Sequence, residues 1–217
     1  MLLACWSVKG GSGTTVVSVA LASLLSASSG VLLVDLAGDV PAVLGLPEPS
    51  GPGVDGWLAA GEDVPADALP RLEVSGPGGL RVLPRGAGQG AGGAAKGRGA
   101  VLAGLLAADP RPVVVDCGSA SEGAGRVVVA AAATSLLVLR PCYLSLRRAQ
   151  LLGVRPSGIV LVGDAGRVLS AVDVEAVIDA PVLASIVHDP QVARAVDAGL
   201  LGHRVPRSLR RALGRVA

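Results

Sequence analysis

Residues 2–15 read Leu2-Leu3-Ala4-Cys5-Trp6-Ser7-Val8-Lys9-Gly10-Gly11-Ser12-Gly13-Thr14-Thr15, and a stretch of helical character runs on from Thr14 to Ser26. A short apolar run, a glycine turn and a helix, in that order, describe a buried strand feeding a helix N-terminus. Glycines at such a junction let backbone N–H groups close around a phosphate, and the helix end adds its partial positive charge. The generic phosphate-loop pattern fails at two places, since Val8 stands where the first Gly belongs and Thr14 where the Lys belongs. The strand before the glycines and the helix after them still favour a phosphate site over a plain turn.

The same alternation continues outward. Leu2 to Trp6, Val31 to Asp35, Leu80 to Leu83, Val113 to Asp116, Leu136 to Leu139, Gly158 to Val162 and Val182 to Ala184 read as buried parallel strands. Thr14 to Ser26, Ala94 to Ala108, Ser145 to Leu152, Val172 to Ile178 and Pro190 to Ala198 read as helices. Strand alternating with helix predicts an α/β fold with a doubly wound, mostly parallel sheet and helices on both faces. Residues 47–56 and the glycine-rich residues 84–99 read as long surface loops, and neither separates two hydrophobic cores. Residues 1–217 are therefore expected to form one domain.

Composition narrows the class. Of 217 residues, 51% are hydrophobic and 17% charged, too apolar for disorder, yet no unbroken run of roughly 18 apolar residues is present for a membrane span. One Tyr, two Trp and no Phe exclude an aromatic platform for single strands, and a net charge of +2 gives no global pull on nucleic acid or lipid. Cys5, Cys117 and Cys142 are odd in number and lie in apolar runs, which predicts reduced core thiols of a cytoplasmic protein rather than a disulfide or zinc framework. Leu2-Leu3-Ala4-Cys5 mimics a lipid-attachment box, but no charged or apolar leader precedes it, so no export signal is expected. Of the 19 basic residues only Lys9 and Lys96 are lysines, which singles out Lys9 beside the glycines.

On these residues the chain resembles the deviant Walker A ATPases of the ParA/MinD type, whose loop reads Lys-Gly-Gly-x-Gly-Lys-Thr-Thr. Val31-Leu32-Leu33-Val34-Asp35 is similar to that family's second strand with its switch-type aspartate, and Val113-Val114-Val115-Asp116 to its Walker B strand. Ala184 to Pro190 with Ala195 to Gly199 is similar to its last strand and helix, so the resemblance spans nearly the whole chain. Gly38-Asp39-Val40 and Gly79 to Pro84 look most like the CpaE/TadZ branch, associated with pilus assembly and polar localisation. The resemblance implies a P-loop NTPase-like fold, ATP or ADP with Mg²⁺ as cofactors, and phosphate contacts from Lys9, Gly10, Gly11, Ser12, Gly13, Thr14 and Thr15. It also implies Mg²⁺ held by Thr15 and Asp116 with Asp35 behind them, a homodimer in which Lys9 reaches the neighbouring subunit's phosphates, and a further, unidentified protein partner.

Departures from the family pattern carry their own expectation. Thr14 replaces the lysine that neutralises phosphate oxygens, and Asp35-Leu36-Ala37 replaces Asp-x-Asp, whose second aspartate orients the attacking water. Asp39, two residues on, is the candidate substitute, so Asp35 and Asp39 are the candidate catalytic acids. Gly163-Asp164 stands where the family often carries an adenine-reading asparagine. The leading expectation is thus a ParA/MinD-like nucleotide-binding scaffold for position or assembly with weak or absent ATP hydrolysis. Its rival is an active ATPase switch that partitions DNA or positions a cell structure.

Three remaining features rank lower. Gly88-Gln89-Gly90-Ala91-Gly92-Gly93 meets the dinucleotide pattern, but in so glycine-rich a loop it reads as a mobile loop, and an oxidoreductase ranks last. His188 and His203 lack partners at metal spacing. The C-terminus carries five arginines between Arg204 and Arg215, with Leu209 and Leu213 on one face of a helix near 206–215. It reads first as a solvated face, with weak contact to membrane or DNA as the alternative. Localisation is expected to be cytoplasmic, with peripheral membrane association tied to that segment.

Overall fold

Alternate side chains of the first strand, β1 (Leu2–Ser7), face opposite cores: Leu2, Ala4 and Trp6 enter one apolar cluster, Leu3 and Cys5 the other. A strand buried on both faces must lie inside a two-sided sheet. The computed structural model describes residues 1–27, 30–60, 64–87, 97–120, 122–163, 166 and 168–217. In it β1 is joined by β2 (Val31–Asp35), β3 (Val74–Ser75), β4 (Leu80–Leu83), β5 (Val113–Ser119), β6 (Thr134–Leu139), β7 (Gly158–Gly163) and β8 (Val182–Val187). The eight strands run in the order β3-β4-β2-β5-β1-β6-β7-β8, parallel throughout except for the antiparallel β3–β4 pair. This is the doubly wound α/β sheet expected from the alternation.

The helices are α1 (Thr14–Ser26), α2 (Val40–Leu44), α3 (Gly53–Ala59), α4 (Arg98–Ala108), α5 (Gly123–Ala131), α6 (Tyr143–Leu152), α7 (Ala171–Ile178), α8 (Pro190–Asp197) and α9 (Arg207–Leu213). Helices α1, α2 and α9 bury their apolar residues against one face of the sheet, and α3 to α7 theirs against the other. The crossover from β1 to β2 passes β5 in one direction along the sheet, and the crossover from β5 to β6 passes β1 in the other. That reversal opens a crevice at the C-terminal edge of the sheet, where the glycine turn lies. Among the described residues no helix is long and apolar enough to cross a membrane.

Three expectations need correction. Residues 47–56 are not loop throughout, because α3 begins at Gly53, where the Val54 and Asp55 amides donate to the Pro84 and Arg85 carbonyls at 2.9 and 3.0 Å. A Cβ at Gly53 or Gly86 would overlap the facing backbone, so this pairing depends on glycine on both sides. Helix α5 was not legible: its glycines and valines are poor helix formers, but Val128 and Val129 are buried, and Gly99 on α4 lies close to Ala124 and Val127. Tertiary packing overrides propensity there. Cys142, expected in the core with Cys5 and Cys117, instead sits partly exposed at the N-terminus of α6.

The helix expected from Ala94 is described from Arg98, whose guanidinium lies 3.9 Å over the Trp57 ring. The match Gly88 to Gly93 and Asp164 fall outside the described residues. At the C-terminus Leu209 and Leu213 are fully buried, so the apolar face of α9 belongs to the core while its arginines are exposed.

Candidate functional site: a glycine-lined cleft with two buried acids

Gly11 and Gly13 adopt φ of +70° and +90°, conformations only glycine enters freely, and Gly13 caps α1. Nothing lies within 4 Å of where a Cβ would stand on Gly10 or Gly11, so the backbone there is bare. Ser12 Oγ donates to the Lys9 carbonyl at 3.0 Å, and Ser7 Oγ lies 3.0 Å from the same oxygen and 3.1 Å from the Gly118 carbonyl. These bonds hold the Lys9 carbonyl on the side of Ser7 and Ser12. The resulting cleft, of about 480 Å³, is lined by Gly10 to Val16 with Ser7, by Ala37, Asp39, Ala42 and Val43 from the segment after β2 and α2, and by Gly118, Ser119 and Val196. A helix N-terminus without acid in its first turn opens onto it, an arrangement that accepts anionic oxygens.

Two aspartates lie beneath the cleft side by side, in register on neighbouring strands. Asp35 is fully buried, with Oδ1 accepting from the amides of Ala37 at 3.0 Å and Gly38 at 2.6 Å and Oδ2 from Val40 at 3.2 Å. Burial raises its pKa against these backbone bonds. Both oxygens are taken up by the chain, so Asp35 shapes the segment that follows it rather than reaching into the cleft.

Asp116 is different. Its Oδ1 accepts from the Gly118 amide at 3.1 Å, while Oδ2 is buried with no hydrogen-bond partner. Burial pushes this carboxyl up to about 7; Thr15 favours the ionised form, and the charges of Asp35 and Asp39 oppose it. An orphaned buried carboxylate oxygen is costly, and a divalent cation beside the Thr15 hydroxyl would relieve it. The donor set fits Mg²⁺, which takes few protein ligands and keeps water and phosphate oxygens in the rest of its shell. Among the described residues no group of three His, Cys, Asp or Glu side chains could form a metal cage.

The remaining expected residues are placed as follows. Thr14 is buried and lines the cleft, as does half-buried Thr15. Asp39 is exposed at the N-terminus of α2, lines the cleft beside Ala37 and acts electrostatically on both buried acids. Lys9 is half-buried and does not line its own cleft; its charge is felt instead by Cys142, whose thiol is held below its usual pKa chiefly by Ser145. Gly163 ends β7, and both histidines are exposed and away from the cleft.

Residues that sequence reasoning missed are Ser7, Val16, Gly118, Ser119, Ala42, Val43 and Val196. Only Gly118 carried a signal, as the glycine two places beyond a strand-ending aspartate.

Solved structures share this architecture. A ParA family ATPase from Chlorobium tepidum TLS superposes with a TM-score of 0.81 at 22% identity, over 98% of this chain and 95% of that one. The fold is that of the ParA and MinD ATPases. The septum site-determining protein MinD complexed with Mg-ADP from Pyrococcus horikoshii OT3 gives a TM-score of 0.77 at 21% identity over 97% of this chain and 91% of that one. A chain of the MinC:MinD cell division protein complex from Aquifex aeolicus gives 0.71 at 19% identity over 98% of this chain and 95% of that one. No family model and no curated protein sequence matches the chain.

Proposed function

We propose that this chain is a ParA/MinD-type nucleotide-binding protein, nearest the CpaE/TadZ branch, that binds ATP or ADP with Mg²⁺ and serves as a positional or assembly scaffold with weak or absent hydrolysis. The observation that carries this reading is the buried, unpartnered Oδ2 of Asp116 beneath a bare glycine loop at a helix N-terminus. Residues Gly10 to Thr15 would hold the polyphosphate, and Thr15 and Asp116 the Mg²⁺. The ion when bound neutralises phosphate oxygens. Thr14 can donate one neutral hydrogen bond but brings no charge to a transferring phosphoryl group, and the Ala37 methyl cannot orient water. Binding therefore survives where turnover does not. Support for the ligand comes from the MinD neighbour, which holds Mg-ADP.

The same reading includes a nucleotide-promoted homodimer. Lys9 is not among the residues that line its own cleft, which leaves it available to a neighbouring subunit. A separate protein partner is supported by analogy with the neighbour that is a MinC:MinD complex. With Leu209 and Leu213 buried, any contact of the C-terminal arginines with membrane or DNA rests on charge alone, which makes it weak and salt-sensitive. Localisation is cytoplasmic, peripheral to the membrane if those arginines engage lipid.

One observation favours the rival, an active ATPase switch: Asp39 lines the cleft and stands where a carboxylate could replace the one missing at Ala37. Calorimetric titration with ATP, ADP and GTP, each with and without Mg²⁺, tests the primary reading, and no Mg²⁺-dependent binding at millimolar concentration would refute it. Hydrolysis by the wild type that disappears in Asp39→Asn would move the assignment to the switch. Sedimentation of the wild type and Lys9→Ala, with and without nucleotide, tests the dimer and the cross-subunit role.

A further inference from the structure

We propose that Arg85 is a positioning residue for the cleft, a strap that holds the segment after β2 from outside while Asp35 holds it from within. The Arg85 Nη1 donates to the Ala37 carbonyl at 3.0 Å, and its Nε donates to Asp55 Oδ2 at 2.8 Å. One guanidinium thus joins the cleft-lining segment to the first turn of α3, and only its planar fork reaches both acceptors at once. The stem lies against the same segment: a Cβ on Gly38, where φ is +106°, would stand 3.3 Å from Arg85 Cδ. On the other side, Asp35 takes the amides of Ala37 and Gly38. The peptide that carries Ala37 and leads to Asp39 is therefore gripped on both its carbonyl and its amide sides.

The anchor is itself fixed. Asp55 is buried, and its amide donates to the Arg85 carbonyl, so the backbone and side chains of residues 55 and 85 bond reciprocally. Neither Arg85 nor Asp55 lines the cleft, yet what they hold includes Ala37 and leads directly to Asp39. Whatever moves α3 or the end of β4 moves that wall. This coupling deepens the nucleotide reading and rests on it for its consequence, although the strap is a property of the free protein.

The test uses the full chain as Arg85→Gln, Asp55→Asn and the double variant, with thermal melting of each as the control for global folding. Hydrogen exchange without nucleotide reads the strap itself. Arg85→Gln should speed exchange across residues 36–40 by about tenfold, the effect of losing one charge-assisted hydrogen bond, with β1 and β5 unchanged. Release of a fluorescently labelled ATP with Mg²⁺ should quicken by a similar factor. The double variant should be no faster than Arg85→Gln alone in either measurement, because both residues act through one connection. Unchanged exchange at 36–40, or fully additive effects, would overturn the strap. If Arg85→Gln fails to fold, Asp55→Asn alone carries both measurements. A wild type that binds no labelled nucleotide removes the nucleotide reading, while the exchange data still decide the strap.

Discussion

Strand β5 starts and ends among acids that the fold treats in opposite ways. Before its first residue, Arg111 Nη2 lies 2.7 Å from both Glu73 Oε1 and Asp109 Oδ2, and Arg81 Nε lies 3.2 Å from Glu73. Burial alone would raise Glu73, but hydrogen bonds from Arg111 and Arg81 outweigh it and hold the carboxyl below its usual value; the Arg111 bond does the same for Asp109. Near the other end of the strand, among the described residues, no arginine or lysine pairs with Asp116 or Asp35, and burial raises both. The first arrangement closes on itself and ties the short edge strand β3 to the sheet. The second keeps uncompensated charge beneath a cleft, the condition under which a ligand cation supplies the missing partner.

The largest expected effect falls at the cleft. Thr14→Lys with Ala37→Asp puts one group at each of two cleft-lining positions and should raise ATP turnover by about a hundredfold, since such groups act chiefly on the transition state. Steady-state phosphate release measures it. A wild type as fast as the double variant would show that the cleft already holds its catalytic groups.

Asp116→Asn comes next and works in two directions. It should abolish Mg²⁺-dependent nucleotide binding and yet stabilise the free protein at pH 8 by about 2 kcal/mol, because a buried charge without a partner is removed. The folded-state pKa of about 7 lies above the unfolded value of 3.8, so ionisation of Asp116 costs the fold nothing below both values. That cost grows as pH rises between them and levels off above the upper one. Denaturation across pH 4 to 8 should therefore show the gain fading toward acid. A variant less stable than wild type at pH 8 would contradict the account of Asp116.

Arg111→Ala probes the other end, with a smaller loss of about 1 kcal/mol at pH 7 for a partly exposed pair. The sign with pH is reversed: stability from a lowered carboxylate is present above its unfolded value and is lost as pH falls through the folded one. The gap between Arg111→Ala and wild type should thus shrink below about pH 4.5, the ordinary value of Glu73, while nucleotide binding stays unchanged throughout. Loss of nucleotide binding in this variant would break the separation between the two ends.

The mildest effect concerns thiols. Burial pushes Cys5 up to about 12 and raises Cys117 well above its usual value, whereas Ser145 lowers Cys142, with Lys9 assisting. Iodoacetamide followed by mass mapping should label Cys142 first, and the other two only on unfolding. Equal labelling of all three in the folded protein would contradict that placement.

What the sequence determined by itself is local. Short runs of three to five mostly apolar residues mark the strands, and every strand read from them is present, β5 and β8 running three residues further than read; β8, expected to be buried, is an edge strand that buries only Ala184 and Ile186 on one face. Thr14 to Ser26 forms α1 as expected, and residues 10–13 form the turn, because the positive φ of Gly11 and Gly13 is a conformation glycine enters freely. The tertiary structure alone decided which of these features meet. Asp35 reads as a cleft acid in the sequence, yet its oxygens are captured by amides two to five residues on, once α2 turns back over it. Asp116 lies in an identical-looking strand end and keeps one oxygen unpaired. Arg85 meets the Ala37 carbonyl across 48 residues, and α5 folds from poor helix formers because α4 offers a surface of small residues. Periodicity and backbone preference act within a few residues and leave a trace in the sequence; burial, charge pairing and hydrogen-bond partners join positions far apart and exist only after the sheet has formed.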